Sequence, residues 1–189
     1  MLKSFHLNNI VYYIAGASAV IFVLSYFEPG LFRIATLVLL LLGIAIVVDT
    51  LLVYSNPKGI HAQRITTDRF SIGDPNKVSL LFRNRFSFPV RLSVIDELPV
   101  QFQERDWLRK TKIDSGTEHV IDYFLHPTSR GEYIFEDINV FVHAPFQLVR
   151  RRFVFKAHHT VKVYPSYIQM RRYHLLAVSN RLQEAGVKR

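Results

Sequence analysis

The sequence predicts a membrane-anchored all-β protein: a two-helix transmembrane hairpin in residues 1–56, an antiparallel, immunoglobulin-like β-sandwich in 57–165, and a basic amphipathic helix in 166–189. Three observations carry this reading. Two apolar runs near the amino terminus are almost free of charge, the hydrophobic period then shortens to two, and positive charge gathers at the far end. Residues 1–56 hold two basic groups (Lys3, Arg33) and two acidic ones (Glu28, Asp49), residues 57–149 hold twelve of each sign, and residues 150–189 hold ten basic groups against Glu184 alone. The whole net charge of +9 therefore sits in the last forty residues. With 49% hydrophobic residues the chain is too apolar for disorder, and the absence of cysteine excludes a disulfide scaffold, a thiolate metal site and a cysteine nucleophile.

The first apolar run, residues 10–27, is eighteen residues without a charge, about 27 Å as a helix against a hydrocarbon core of about 30 Å. Residues 31–53 form the second. Only Glu28-Pro29-Gly30 separates them, so the expectation is a tight antiparallel turn with both ends on one side. A cleaved signal peptide is the alternative for the first run, but its apolar stretch is long and a second span follows at once. Arg33 and Asp49 each lie eight residues, about 12 Å, from the middle of the second span near Leu41. There they read as membrane-interface charges whose side chains reach the surface, in preference to an ion pathway through the hairpin. Lys3 shares a side with Lys58, Arg64 and Arg69 while the connecting loop has no basic residue, which predicts both termini and the sandwich on the cytoplasmic face.

After Asn56-Pro57-Lys58-Gly59 the pattern is that of half-buried strands. Val90, Leu92 and Val94 alternate with polar residues, Ile121, Tyr123 and Leu125 alternate with Asp122 and Phe124, and Ile138, Val140 and Val142 share one face. Further strands are expected at 59–67, 77–83, 132–135, 148–155 and 160–164, divided by turn residues such as Gly73-Asp74-Pro75-Asn76, Asp114-Ser115-Gly116 and Ala144-Pro145. Seven or eight short strands so punctuated predict a sandwich. Beyond Tyr164-Pro165, Ser166 is a suitable cap for a helix that Gly186 ends, with Ile168, Leu175, Val178 and Leu182 on one stripe.

The order Arg130-Gly131-Glu132-Tyr133, then Pro145-Phe146-Gln147-Leu148-Val149-Arg150-Arg151, then Val163-Tyr164-Pro165 resembles a bacterial membrane-protein family known as domain of unknown function 58 (DUF58). Members often accompany MoxR-type AAA+ ATPases. The resemblance marks Arg130, Gly131, Tyr133, Pro145, Phe146, Leu148, Arg151, Tyr164 and Pro165 as motif positions. The later segment of the family typically reads Asp-Pro-Phe-Gly-Leu; here Ala144 replaces the acid and Gln147 the glycine. The resemblance also implies a following von Willebrand factor A-like domain, with residues 166–189 as the linker to it. Without the family, Arg130-Gly131-x-Tyr133 reads as a turn into a strand, and Pro145-Phe146 as a hairpin corner.

No catalytic signature is visible. The glycine patterns of nucleotide-binding loops and the Gly-x-Ser-x-Gly elbow are missing, and neighbouring His158 and His159 point to opposite faces of a strand, unsuited to sharing one metal ion. The expectation is a protein with no catalytic residue, cofactor or metal. A basic contact surface is expected at Arg150, Arg152, Arg171, Arg172 and Arg181, suited to anionic lipid head groups and lacking any groove-reading motif for nucleic acid. The functional expectation is a membrane-anchored scaffold of the bacterial cytoplasmic membrane, working by resemblance with a MoxR-type AAA+ ATPase in cell-envelope assembly. An externally facing envelope-binding or adhesion module is the alternative.

Overall fold

The computed structural model describes residues 4–104 and 107–165, and the expected helix over 166–189, with Arg171, Arg172 and Arg181, lies outside them. The chain runs β1 (Phe5–Leu7), α1 (Asn9–Leu24), α2 (Pro29–Tyr54), β2 (Ile60–Thr66), β3 (Arg69–Ser71), β4 (Asn76–Asn84), β5 (Val90–Asp96), a 3-10 turn (Val100–Phe102), β6 (Leu108–Ile113), β7 (Glu118–Leu125), β8 (Gly131–Phe135), β9 (Ile138–His143), β10 (Val149–Phe155) and β11 (His159–Tyr164). The eight expected strands are present. β1, β3 and β6 are additional, and each is too short or too polar to show a buried alternation.

The strands make a five-stranded sheet in the order β1-β10-β9-β5-β6 and two three-stranded sheets, β2-β4-β7 and β3-β11-β8. One correction concerns direction: β3 pairs with β11 in parallel, the remaining pairs being antiparallel. All three sheets close on one core, to which alternate residues contribute, Val78-Leu80-Phe82 from β4, Val90-Leu92-Val94 from β5 and Ile138-Val140-Val142 from β9. Trp107 seals it with its ring centroid 4.7 Å from that of Tyr123.

α1 and α2 lie side by side, with the Phe22 and Phe32 rings edge to face at 5.6 Å. Here too the expectation is adjusted. Pro29 and Gly30 belong to the first turn of α2, where proline's fixed φ and missing N–H are no handicap, so the connection is residues 25–28. α1 stops at Leu24, three residues short of the apolar run. Of the two, α2 is long and apolar enough to cross a membrane; α1 has 16 residues. Residues 1–56 are not helix alone, because β1 precedes α1 and pairs with β10. Gly59 follows α2 for a steric reason: a Cβ there would lie 2.1 Å from the Phe86 ring.

A buried ion pair ties the sheets together. Arg64 on β2 pairs with Asp96 on β5, their side chains 2% and 0% exposed, and Tyr123 on β7 donates its hydroxyl to the same carboxylate. Arg64 also donates to the carbonyls of Ala157 at 2.6 Å and Glu136 at 3.1 Å, and its guanidinium lies 4.8 Å from the centre of the Phe135 ring. Burial, reinforced by the Asp96 carboxylate, pushes the Tyr123 phenol far above its ordinary range. Since breaking one half of a buried pair leaves an uncompensated charge, Asp96→Ala should cost about 3–5 kcal/mol. Tyr123→Phe, which spares the pair, should cost about 1–2 kcal/mol in the same denaturant unfolding of the detergent-solubilised protein.

Candidate functional site

The junction between α2 and the β9–β10 turn gathers more of the singled-out residues than any other place in the described fold. Ala144 to Gln147 form a tight turn, the Gln147 amide donating to the Ala144 carbonyl at 2.9 Å. Two amides of this segment remain for an outside acceptor, and Asp49 supplies it. Its carboxylate oxygens accept from Phe146 N at 3.1 Å and Leu148 N at 3.0 Å, and the residue is 0% exposed. This corrects the expectation of a side chain reaching up to the membrane surface. Asp49 points sideways into the sandwich, because the turn offers a buried carboxylate what water would otherwise give. Arg33 stands exposed near the start of α2.

Arg151 completes the attachment. Its Nη1 donates to the carbonyls of Val53 at 3.0 Å and Asn56 at 3.2 Å, and its guanidinium lies 4.5 Å from the ring centres of both Tyr54 and Phe153. A cation on the free carbonyls at a helix C-terminus complements the helix dipole. The amino-terminal helix is held by the same turn: Asn8, the cap of α1, receives the Asn9 amide on Oδ1, while its Nδ2 donates to the Gln147 carbonyl at 2.8 Å and its own amide to Leu148 at 2.9 Å. Val11, Val53, Ala144, Leu148 and Val149 make a second small core beneath these bonds.

The other motif positions lie at turns and on strands. Gly131 has φ +141, a conformation that favours glycine, and Arg130 beside it is exposed. Tyr133 is 1% exposed and its hydroxyl donates to the Ser129 carbonyl at 3.1 Å. Pro145 and Phe146 form the expected hairpin corner and project from it, Phe146 being 59% exposed. Tyr164 ends β11, with the Arg69 guanidinium over its ring, and Pro165 follows. His158 and His159 each lie 3.3 Å from a separate carboxylate, Asp137 and Asp68.

The expected partnership of Arg150 with Arg152 is divided. Arg152 donates through Nε and Nη2 to Asn139 Oδ1, at 3.0 and 2.7 Å, and Asn139 in turn donates to Glu97. Arg150 instead borders an open groove of about 880 Å³ with His6, Arg91, Lys110, Lys112 and His143. Sequence reading missed these neighbours, since strand register alone brings them together. Within the groove Ser93 Oγ lies 3.0 Å from His143 Nε2, a serine–imidazole contact. The groove residues facing that imidazole are cationic, and no acidic side chain lines the groove to orient it as a general base. Burial, followed by the charges of Arg150, Lys110 and Arg91, pulls the His143 pKa below its ordinary value.

No family model and no curated protein matches the chain. Among solved structures, the CARDB domain of the PF1109 protein from Pyrococcus furiosus is similar at 14% identity, covering 57% of this chain and 94% of that one, with a TM-score of 0.37. The human CEP192 PapD-like domain 7 is similar at 12% identity, covering 57% and 87%, with a TM-score of 0.42.

Two outcomes follow from this geometry. Asp49→Ala removes two charge-assisted bonds of about 1.5–3 kcal/mol each, so hydrogen exchange at the Phe146 and Leu148 amides should accelerate by an order of magnitude or more while the β4 and β5 amides stay protected. The depressed His143 pKa means that the unfolded chain binds the extra proton first, so stability falls as pH drops below about 6.5 toward the folded value. His143→Gln should flatten that part of a plot of Tm against pH.

Proposed function

We propose that this protein is a non-enzymatic, membrane-anchored interaction scaffold of the bacterial cytoplasmic membrane, working with a MoxR-type AAA+ ATPase in cell-envelope-related assembly. The observation that carries the anchored-scaffold part is the junction at Asp49 and Arg151. It fixes the sandwich to α2 through both a buried carboxylate and a helix-end cation, so that the domain is presented in one orientation instead of trailing on a linker.

Support for two membrane spans comes from what the helices leave uncovered. Leu37, Leu40, Leu41, Ile44, Val47 and Leu51 of α2 are more than half exposed, an apolar surface that water does not favour. On α1, exposed Tyr12 and Tyr13 lie at one end, and Tyr26 and Phe27 follow the other, about 20 Å apart along a helix axis, in the manner of interfacial aromatic belts. A leader cleaved after α1 fits poorly, since removing β1 and α1 would strip β10 of its edge partner, remove the Asn8 bonds to the 147–148 turn and open the second core.

The ATPase partner and the process rest on the family resemblance between Arg130 and Pro165. In that reading the Ala144 departure has a compensation. The turn lacks an acid of its own at 144, and Asp49 supplies a carboxylate to its amides from α2.

Mild-detergent purification of the tagged chain from its own cells should recover an AAA+ ATPase, and repeated absence of one would remove the partner. Sidedness is read from Val100→Cys, 86% exposed in an otherwise cysteine-free chain and at the end of the sandwich away from the helices. A membrane-impermeant maleimide should label it only after lysis. Labelling of intact cells would instead favour the externally facing envelope-binding module.

A further inference from the structure

We propose that the groove on the outer face of the five-stranded sheet is a binding site for the phosphate of an anionic membrane lipid, held in the leaflet where α1 starts and α2 ends. The site deepens the membrane-anchored reading and rests on α2 as the anchor.

Strand register builds it. His6 pairs with Arg150, Arg150 with His143, His143 with Arg91, and Arg91 with Lys112, so one row carries a basic residue from every strand of the sheet. At about 4.8 Å between strands the row crosses roughly 19 Å, with Lys110 two positions along β6 on the same face. Like charges set opposite one another across strands are destabilising, as Arg91 and Lys112 are here, and no acidic residue is among those lining the groove. On the other sheets three surface cations lie beside carboxylates: Lys77 is 2.8 Å from Asp122, Arg83 3.7 Å from Glu118 and Lys162 3.9 Å from Glu132.

Two polar atoms of the row have no partner. Arg150 Nε and His6 Nδ1 are both buried and unbonded, although buried donors are normally satisfied. A phosphate oxygen seated among these side chains on the sheet face would satisfy the guanidinium and offset the repulsion together, since arginine presents its N–H groups as a fork matched to phosphate. Arg91 and Arg150 flank His143 about 10 Å apart, close enough to close on one head group.

Position selects a lipid over a dissolved anion. His6 stands two residues before Asn8, the cap of α1, so the row begins about 7 Å from the first turn of an apolar helix. The head-group layer is itself about 5–7 Å thick on each face of the bilayer. A lipid of the surrounding leaflet is therefore present at high local concentration and at the right depth, which adds local attraction to a row of basic side chains.

The test uses the full chain in a mild non-ionic detergent. Native mass spectrometry and thermal shift compare phosphatidylglycerol with phosphatidylcholine of the same chain length, with inorganic phosphate as the soluble anion. Phosphatidylglycerol should bind at least tenfold more tightly than phosphatidylcholine. Arg91→Gln with Arg150→Gln should lose that preference, whereas Arg83→Gln with Lys162→Gln, an equal loss of charge on other sheets, should keep it. If the first pair misfolds, Lys110→Gln with Lys112→Gln, both exposed on the edge strand, serves in its place. Equal binding of the two lipids overturns the site, as does an equal loss in the control pair. Inorganic phosphate that displaces the lipid at millimolar concentration overturns it in favour of a free-anion site. Alkaline carbonate distinguishes the two failures: wild-type chain released from membranes overturns the anchor, while a retained Arg91→Gln, Arg150→Gln chain without lipid preference leaves the anchor standing and supports the site.

Discussion

A carboxylate on an apolar helix must find hydrogen-bond donors, and in this fold the position of the helix, the turn and the sheet edge all follow from where Asp49 finds them. It lies five residues before the end of α2, about 7.5 Å along the axis, too deep among leucines and valines to be left unpaired without a cost of several kcal/mol. The β9–β10 turn answers with two amides. For both to face one carboxylate, Gln147 takes φ +61, a conformation that side chains other than glycine, asparagine and aspartate adopt at some cost. The helix charge and the strained turn thus belong to one arrangement, in which each would be unfavourable alone.

From this point the attachment spreads outward. Once the turn is fixed beside α2, the first residues of β10 run past the helix end, where Arg151 meets the Val53 and Asn56 carbonyls, and the other edge of β10 is open to β1. β1 is only three residues long, yet it is pinned at its far end by Asn8. Both helices are therefore registered against the same hairpin. The buried residues of the sandwich core, tied by Arg64 and Asp96, form a cluster separate from this one, with Phe153 packed on that core and facing Arg151. Two cores, one polar and ionic tie in each, account for how a β domain keeps a defined attitude to a pair of apolar helices.

How much of this the sequence shows depends on whether the cause is local. Period two in 90–94 and 138–142 reports burial of alternate residues, and those strands are legible because the sheet buries one face whatever the rest does. β3 and β6 are silent for the opposite reason, one being three residues long and the other carrying Arg109, Lys110 and Lys112 on a sheet edge. Asp49 is legible as an anomaly but not as a strut, since its partners lie 97 and 99 residues away and are backbone amides, which no residue type advertises. Gly131 and its turn were readable from residue type alone. Arg91 was not readable as a neighbour of Arg150, because the pairing of β5 with β9 and of β9 with β10 is decided by topology.

The run Arg150-Arg151-Arg152 shows why a linear count of charge misleads. As one cluster it suggests a single basic surface, yet strand alternation sends its middle member inward and its neighbours outward. Arg151 closes a helix, Arg152 is absorbed by Asn139 and Glu97, and Arg150 alone joins a row whose other members come from charge-balanced parts of the chain. The excess of positive charge in the last forty residues and the unmatched cations of the groove are therefore largely different charges. What concentrates cations on the five-stranded sheet is register, which sets His6, His143, Arg91 and Lys112 in one row with Arg150. A surface so produced, beginning two residues from a helix cap, has its orientation to the two apolar helices fixed by the same hairpin that Asp49 holds.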